Sequence, residues 1–209
     1  MRAFLDDQPL TVDPPTIARA IEAARDAAGA HRRIVVEVLA DGAPIDAGLL
    51  DQPPADDAGI GELRMTSAEL GSFVSVTLSD AADALKSSSA DRLAAADAID
   101  RGELNKAGES LSGLFGVWAM ARDVLDKSGQ LTSIDPMAIR LPDPEGGEVS
   151  GAACIDGLVR TLGELKSAVG DEDWSHVSDL LHDELDEQSR QWELLLRAFA
   201  ELARAGQAS

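Results

Sequence analysis

A chain of 209 residues, 44% of them hydrophobic, is long enough for one or two compact domains. Its formal charge of −20, spread over both halves, leaves no basic patch to neutralise nucleic-acid phosphates or to settle on an anionic bilayer, and it favours solubility and basic protein partners. Only 3% of the residues are aromatic and none is Tyr, so Ala, Leu, Val and Ile must fill the core.

The first seventy or so residues read as short strands around one helix. Arg2 to Leu5, the polar Asp6-Asp7-Gln8-Pro9 and Leu10 to Val12 form a hairpin pattern. After Pro14-Pro15, Thr16 can cap a helix that carries Ile17, Ala20, Ile21, Ala24 and Ala28 on one face, with Gly29 near its end. Ile34 to Leu39 is β-branched and apolar, as a central buried strand would be, and Asp41-Gly42 closes it. A polar, proline-containing loop from Asp51 to Asp57 leads to Glu62-Leu63-Arg64-Met65-Thr66, which alternates like a final strand. This order of strand, strand, helix, strand, loop and strand resembles the β-grasp, or ubiquitin-like, fold. Conjugated members of that family end in an exposed diglycine, whereas here the segment runs on into helices and Gly146-Gly147 lies far downstream, in a turn. The resemblance therefore implies docking through the sheet surface rather than covalent tagging.

From about residue 72 the period changes to three-four. Val74, Leu78, Ala81, Leu85 and Ile99 fit one helical seam; Val74 to Leu78 also alternates like a strand, but the helical pattern runs on through Ala94, Ala95 and Ala96 to a break at Asp100-Arg101-Gly102. Leu104, Ala107, Leu111, Leu114, Trp118, Ala121 and Leu125 then repeat strictly, as helix-on-helix packing requires, and the short break makes these two helices antiparallel neighbours. Residues 130–150, with Pro136, Pro142, Pro144 and the Gly pair, read as a long crossover or a mobile connection. A third helix has Ile155, Leu158, Leu162, Leu165 and Val169 on its seam and ends at Gly170. Asp171 or Asp173 caps a fourth, lined by Trp174, Val177, Leu181, Leu185, Leu195, Phe199 and Leu202, and the tail from Ala205 to Ser209 frays.

Few residues carry chemistry. Asp179, His182 and Asp186 fall at i, i+3 and i+7, a face that could hold a divalent metal with a further ligand, or simply a solvated acidic face. Glu184 lies between Leu181 and Leu185 and, if buried, would need Arg122 or Arg160 opposite. There is no Gly-x-Ser-x-Gly elbow, no phosphate-binding glycine loop and no Cys-x-x-Cys. Ser87-Ser88-Ser89 has no adjacent base. Cys154, the single cysteine, sits in an apolar helical pattern and reads as a buried inert thiol. Trp118 reads as core. Leu194, Leu195 and Leu196 cannot all face one core, so the apolar surplus near Trp192 must be covered by something. The segment Asp173-Trp174 through Asp179-Leu180-Leu181, Glu184-Leu185 and Trp192 looks like the terminal helix of bacterial helical-bundle proteins, and the bundle as a whole resembles flagellar export chaperones, which hold an amphipathic partner helix; no binding residue is carried over by that resemblance.

The expectation is an α+β protein: a small β-grasp-like domain over residues 1–70, then an all-α four-helix bundle over 72–209 with the crossover at 130–150. It is read as a non-enzymatic adaptor or chaperone-like module, without metal or other cofactor, that engages a partner helix through Trp174, Asp179, Glu184, Trp192 and Leu196. The alternatives are a self-assembling homodimer and a divalent-metal-binding helical protein. Met1 to Leu10 has no apolar signal core and no run approaches membrane-spanning length, so a cytoplasmic place, with neither membrane nor nucleic acid as partner, is expected.

Overall fold

The computed structural model describes residues 1–54, 56–143 and 146–206, with Ala47 and Asp51 described by their backbone alone. The fold is α+β, with a mixed five-stranded sheet and several helices, and the chain divides into two compact units, Met1–Phe73 and Val74–Ser209. Residues 207–209 of the expected frayed tail, Pro144, and Ala55 of the expected loop lie outside the described residues.

In the first unit β1 (Arg2–Leu5) and β2 (Gln8–Leu10) form a hairpin whose two turn residues, Asp6 and Asp7, both take positive φ, 49° and 62°. Aspartate tolerates that region, and such a turn matches the right-handed twist of the strands. The Asp6 carboxylate accepts from the amide and hydroxyl of Ser67, at 2.8 and 2.6 Å, which pins the turn to the far end of the last strand. Thr16 caps α1 (Ile17–Gly29) by accepting from the Arg19 amide, and Ile17, Ala20, Ile21, Ala24 and Ala28 pack on Ala3, Leu5, Leu63 and Met65. β3 (Arg33–Ala40) pairs with the two-residue β4 (Ala43–Pro44) across Asp41-Gly42, again at positive φ; the short helix α2 (Ala47–Asp51) follows, capped by Asp46. β5 (Glu62–Glu69) completes a sheet of order β2-β1-β5-β3-β4, parallel to β1 and antiparallel to β3. The middle of the sheet is therefore β5, with Leu63, Met65 and Ser67 turned inward. The Ile34–Leu39 segment, expected in the centre, is only partly buried, and a bulge between Val35 and Glu37 leaves Val36 exposed.

β5 runs straight into α3 (Leu70–Ser87), so residues 73–78 are helical. The helix expected to continue to Asp100 is interrupted: α4 (Ser89–Asp100) begins beyond Ser88. Ser87, Ser88 and Ser89 each donate a hydroxyl to a carbonyl three or four residues back, the back-bonding that bends helices. Gly102, at φ 71°, ends α4, and α5 (Leu104–Thr132) packs back against it with Ala107, Leu111, Leu114, Trp118, Ala121 and Leu125 buried; of the anticipated seam only Leu104, at the helix start, is exposed.

The stretch after α5 has more structure than a plain crossover. Pro136–Ala138 form one 3₁₀ turn, and β6 (Arg140–Pro142) and β7 (Glu148–Ser150) form a small hairpin in which Gly146 and Gly147 both take positive φ. α6 (Gly151–Gly170) follows, then α7 (Trp174–Asp179), a π-helical turn over Leu180–Glu184, and α8 (Leu185–Ala205). Asp173 supplies the cap of α7. At the π turn the Leu185 amide reaches the Leu180 carbonyl five residues back, and buried Arg92 of α4 donates to the carbonyls of Leu181 and His182 and to Asp186. Among the described residues no helix is long and apolar enough to cross a membrane.

Candidate functional site: an apolar groove between α5 and α6

α6 turns an unexpected face to the core. Of the seam anticipated through Ile155, Leu158, Leu162, Leu165 and Val169, Leu158 and Leu165 are buried and the other three are not; the buried series is Gly151, Cys154, Leu158, Thr161, Leu165 and Ala168, in a regular three-four repeat. Small residues win because the backbone comes close. A Cβ on Gly151 would lie 1.9 Å from the Pro136 carbonyl oxygen, and one on Gly157 would meet the Gln188 amide group at 3.0 Å. Docked this way, α6 also lets the Trp192 indole N–H donate to the Cys154 carbonyl at 3.1 Å. The bulky residues Ile155, Val159 and Leu162 are left along the side that borders α5.

α5 meets them with the residues one step around from its own seam: Phe115, Ala119, Arg122 and Asp126. Between the two helices lies a depression of about 440 Å³ walled by Phe115, Ile155, Val159 and Leu162. Trp118 and Trp192 form its floor, edge to face at 5.6 Å between ring centres and 82° between planes. A second depression of about 490 Å³ adjoins it, shares Arg122, Asp126, Ile155 and Trp192, and continues past Gly129 to Ile134 and Met137. Phe115 is 40% exposed and Val159 56%, whereas Trp118 and Trp192 are 2% and 1%. The stretch from Phe115 to Gly129 spans about 21 Å of helix axis, close to four turns. The Trp118 indole N–H, the Thr161 hydroxyl and the side-chain oxygen of Gln188 are buried with no hydrogen-bond partner among the described residues.

The charges at the rim are carried by Arg122, Asp123, Asp126 and Asp135. Lys127 pairs with Asp123 at 2.8 Å, and Arg122 holds Asp126 loosely at 3.9 Å. All four of those paired side chains are more than half exposed, so water screens the pairs and they add little to stability. Cys154 is fully buried, and burial pushes its thiol above the usual range.

The residues singled out from sequence are not gathered on one surface. Trp192 and Leu196 lie inside the protein, the former as groove floor and the latter as core; neither is an exposed anchor. Of the three successive leucines, Leu195 and Leu196 are wholly buried and Leu194 is 40% exposed. Trp174 is half-buried, and Asp179 and Glu184 are exposed, so Glu184 needs no buried cation opposite. The face of Asp179, His182 and Asp186 is broken by the π turn, which changes the residues per turn between them. Asp186 is held by Arg92 at 2.5 Å and Arg190 at 2.6 Å, and among the described residues no group of three His, Cys, Asp or Glu could hold a metal. Phe115 and Val159 went unnoticed in the sequence, where the available signal was a second apolar series on the third helix beside Cys154, Leu158 and Leu165.

Compared with protein-family models, curated proteins and solved structures, the chain matches none.

Proposed function

We propose that this chain is a non-enzymatic protein-binding module, of the adaptor or chaperone-like kind, whose α5/α6 groove receives the apolar stripe of a partner helix. The observation that carries the reading is the pair of apolar walls, exposed Phe115 on one helix and exposed Val159 with half-buried Ile155 and Leu162 on the other, facing across a tryptophan floor. Singly exposed apolar residues are ordinary, but opposed ones over a concave aromatic base are not. Helix-in-groove recognition uses anchors at i, i+3, i+4 and i+7, and about four turns of groove accommodate such a set. Each leucine-sized anchor fully buried contributes about 2 kcal/mol before the costs of association are subtracted.

In this reading the first unit is a β-grasp domain. Its support is the strand order, the parallel β1–β5 pair and α1 on one face. The outer face of the sheet offers a separate docking surface, where Arg64 lies over Phe4 and pairs with Glu62 and Asp7. The second unit is read as four helical rods, α3–α4, α5, α6 and α7–α8. A lone free, buried thiol fits a cytoplasmic place.

The test is a titration with an uncharged amphipathic helical peptide of about 14 residues, leucines at anchor spacing and glutamines elsewhere, followed by methyl NMR. Shifts confined to groove methyls, Ile155, Val159 and Leu162 first and Ile134 and Met137 at the far end, and abolished by Val159→Asp at this exposed position, are expected. No shift at millimolar peptide, or the same shifts in the variant, would overturn the reading.

A further inference from the structure

Resting on the groove reading above, we infer that the groove selects a cationic amphipathic helix from another protein. Its apolar walls would accept many helices; its rim would not. Among the described residues the two adjoining depressions are lined by three carboxylates, Asp123, Asp126 and Asp135, against one cation, Arg122; Asp123 is already paired with Lys127 at 2.8 Å, so Asp126 and Asp135 are the carboxylates left to meet an incoming cation. Arg122 contacts Asp126 only at 3.9 Å, so the carboxylate is not saturated by its neighbour. The chain as a whole carries −20, a field that draws cationic segments in and repels acidic ones. The same charge argues against a second copy as occupant, since self-docking sets one −20 surface against another and crowds carboxylates around a partly desolvated groove. An incoming helix with lysines or arginines flanking its leucine stripe meets Asp126 along one edge and Asp135 at the far end. Arg122, among the described residues the one positive group lining the groove, opposes it.

Arg122 and Asp126, both exposed helix positions, allow substitutions of opposite sign. Three peptides with an identical leucine stripe and Lys, Gln or Glu at every other position are titrated into the full chain, with tryptophan emission and calorimetry as readouts. The Lys peptide binds about tenfold tighter than the Gln peptide, the equivalent of about 1.4 kcal/mol. The Glu peptide binds weakest, and the spread narrows as salt rises from about 0.05 to 0.3 M. Arg122→Glu tightens the Lys peptide severalfold and Asp126→Lys loosens it, both leaving the fold intact. Val159→Gln, which adds no charge, weakens it too. Equal affinity for all three peptides leaves the groove reading standing and ends the cationic one. Failure of every peptide to bind ends both. Lys-peptide binding untouched by Val159→Gln means attraction to the acidic surface at large, and a chain that is dimeric until Val159→Gln makes it monomeric has itself as occupant; either result overturns the inference.

Discussion

Removing Arg92 tests whether the π turn is held from outside. The side chain is 5% exposed, comes from α4 and donates to the carbonyls of Leu181 and His182 and to the Asp186 carboxylate. Arg92→Ala deprives two carbonyls of a charged donor, at about 1–3 kcal/mol each when no water replaces it, and leaves a void where the aliphatic stem lay. The loss of Asp186 as partner costs less, because that carboxylate is 34% exposed and keeps Arg190 at 2.6 Å. The expected cost is about 4 kcal/mol, within the range for breaking a buried ionic contact and a large part of a typical domain stability of about 5–15 kcal/mol. Asp186→Asn, by the same reasoning, costs about 1 kcal/mol. Urea unfolding followed by tryptophan emission measures both. Trp118, Trp174 and Trp192 all lie in the second unit, so the signal reports that unit alone. An Arg92→Ala variant within about 1 kcal/mol of the parent, or an Asp186→Asn variant as damaged as Arg92→Ala, would show that the carbonyl contacts are not what the arginine supplies.

Gly151→Ala drives a Cβ into the Pro136 carbonyl and should lower the urea midpoint by the equivalent of about 3 kcal/mol, whereas Gly163→Ala, with open space at its Cβ, should raise it by about 0.5–1 kcal/mol through helix propensity. Cys154, wholly buried and with its thiol pushed up, should resist a thiol reagent at pH 8 in the native protein and react once urea unfolds the second unit; rapid stoichiometric labelling of the folded chain contradicts that placement. The Ser67 hydroxyl and amide, with Arg33 nearby, hold the Asp6 carboxyl below its ordinary range. Its contribution to the first unit is therefore present at neutral pH and lost as pH falls below about 4 through the depressed value, so the stability gap between the parent and Asp6→Asn should close on acidification, as read by amide exchange in β5.

Elements whose faces are decided locally could be read from the chain. α5 is an example: its strict repeat leaves one apolar stripe, and six of its seven members are buried. α1 is another, with its cap at Thr16 and a single alanine-isoleucine face. Where contacts distant in sequence decide, periodicity misled. The third helix carries two interleaved apolar series, and hydrophobicity alone favours the bulkier one. What reverses the choice is Gly151 against the Pro136 carbonyl and Gly157 against Gln188, approaches that no local pattern reveals. A π turn inserts itself without a sequence marker, and it dissolved the face of Asp179, His182 and Asp186. β6 and β7 are three residues each, too short for alternation to register, and β5 rather than β3 holds the centre because it pairs with β1 on one side and β3 on the other, a long-range pairing that no local pattern states.

The groove follows from that same reversal. If α6 had buried Ile155 and Leu162, its larger side chains would hold it away from the 3₁₀ turn and from α8, and the Trp192 indole would lose the Cys154 carbonyl. By burying Gly151, Cys154 and Thr161 instead, the helix comes close to α8, and its bulk is left facing α5, where Phe115 stands beyond the packed seam. The close approach on one side and the apolar walls on the other are two consequences of one rotation. A variant that restores bulk at Gly151 should therefore disturb the groove as well as the core, even though residue 151 lines neither depression.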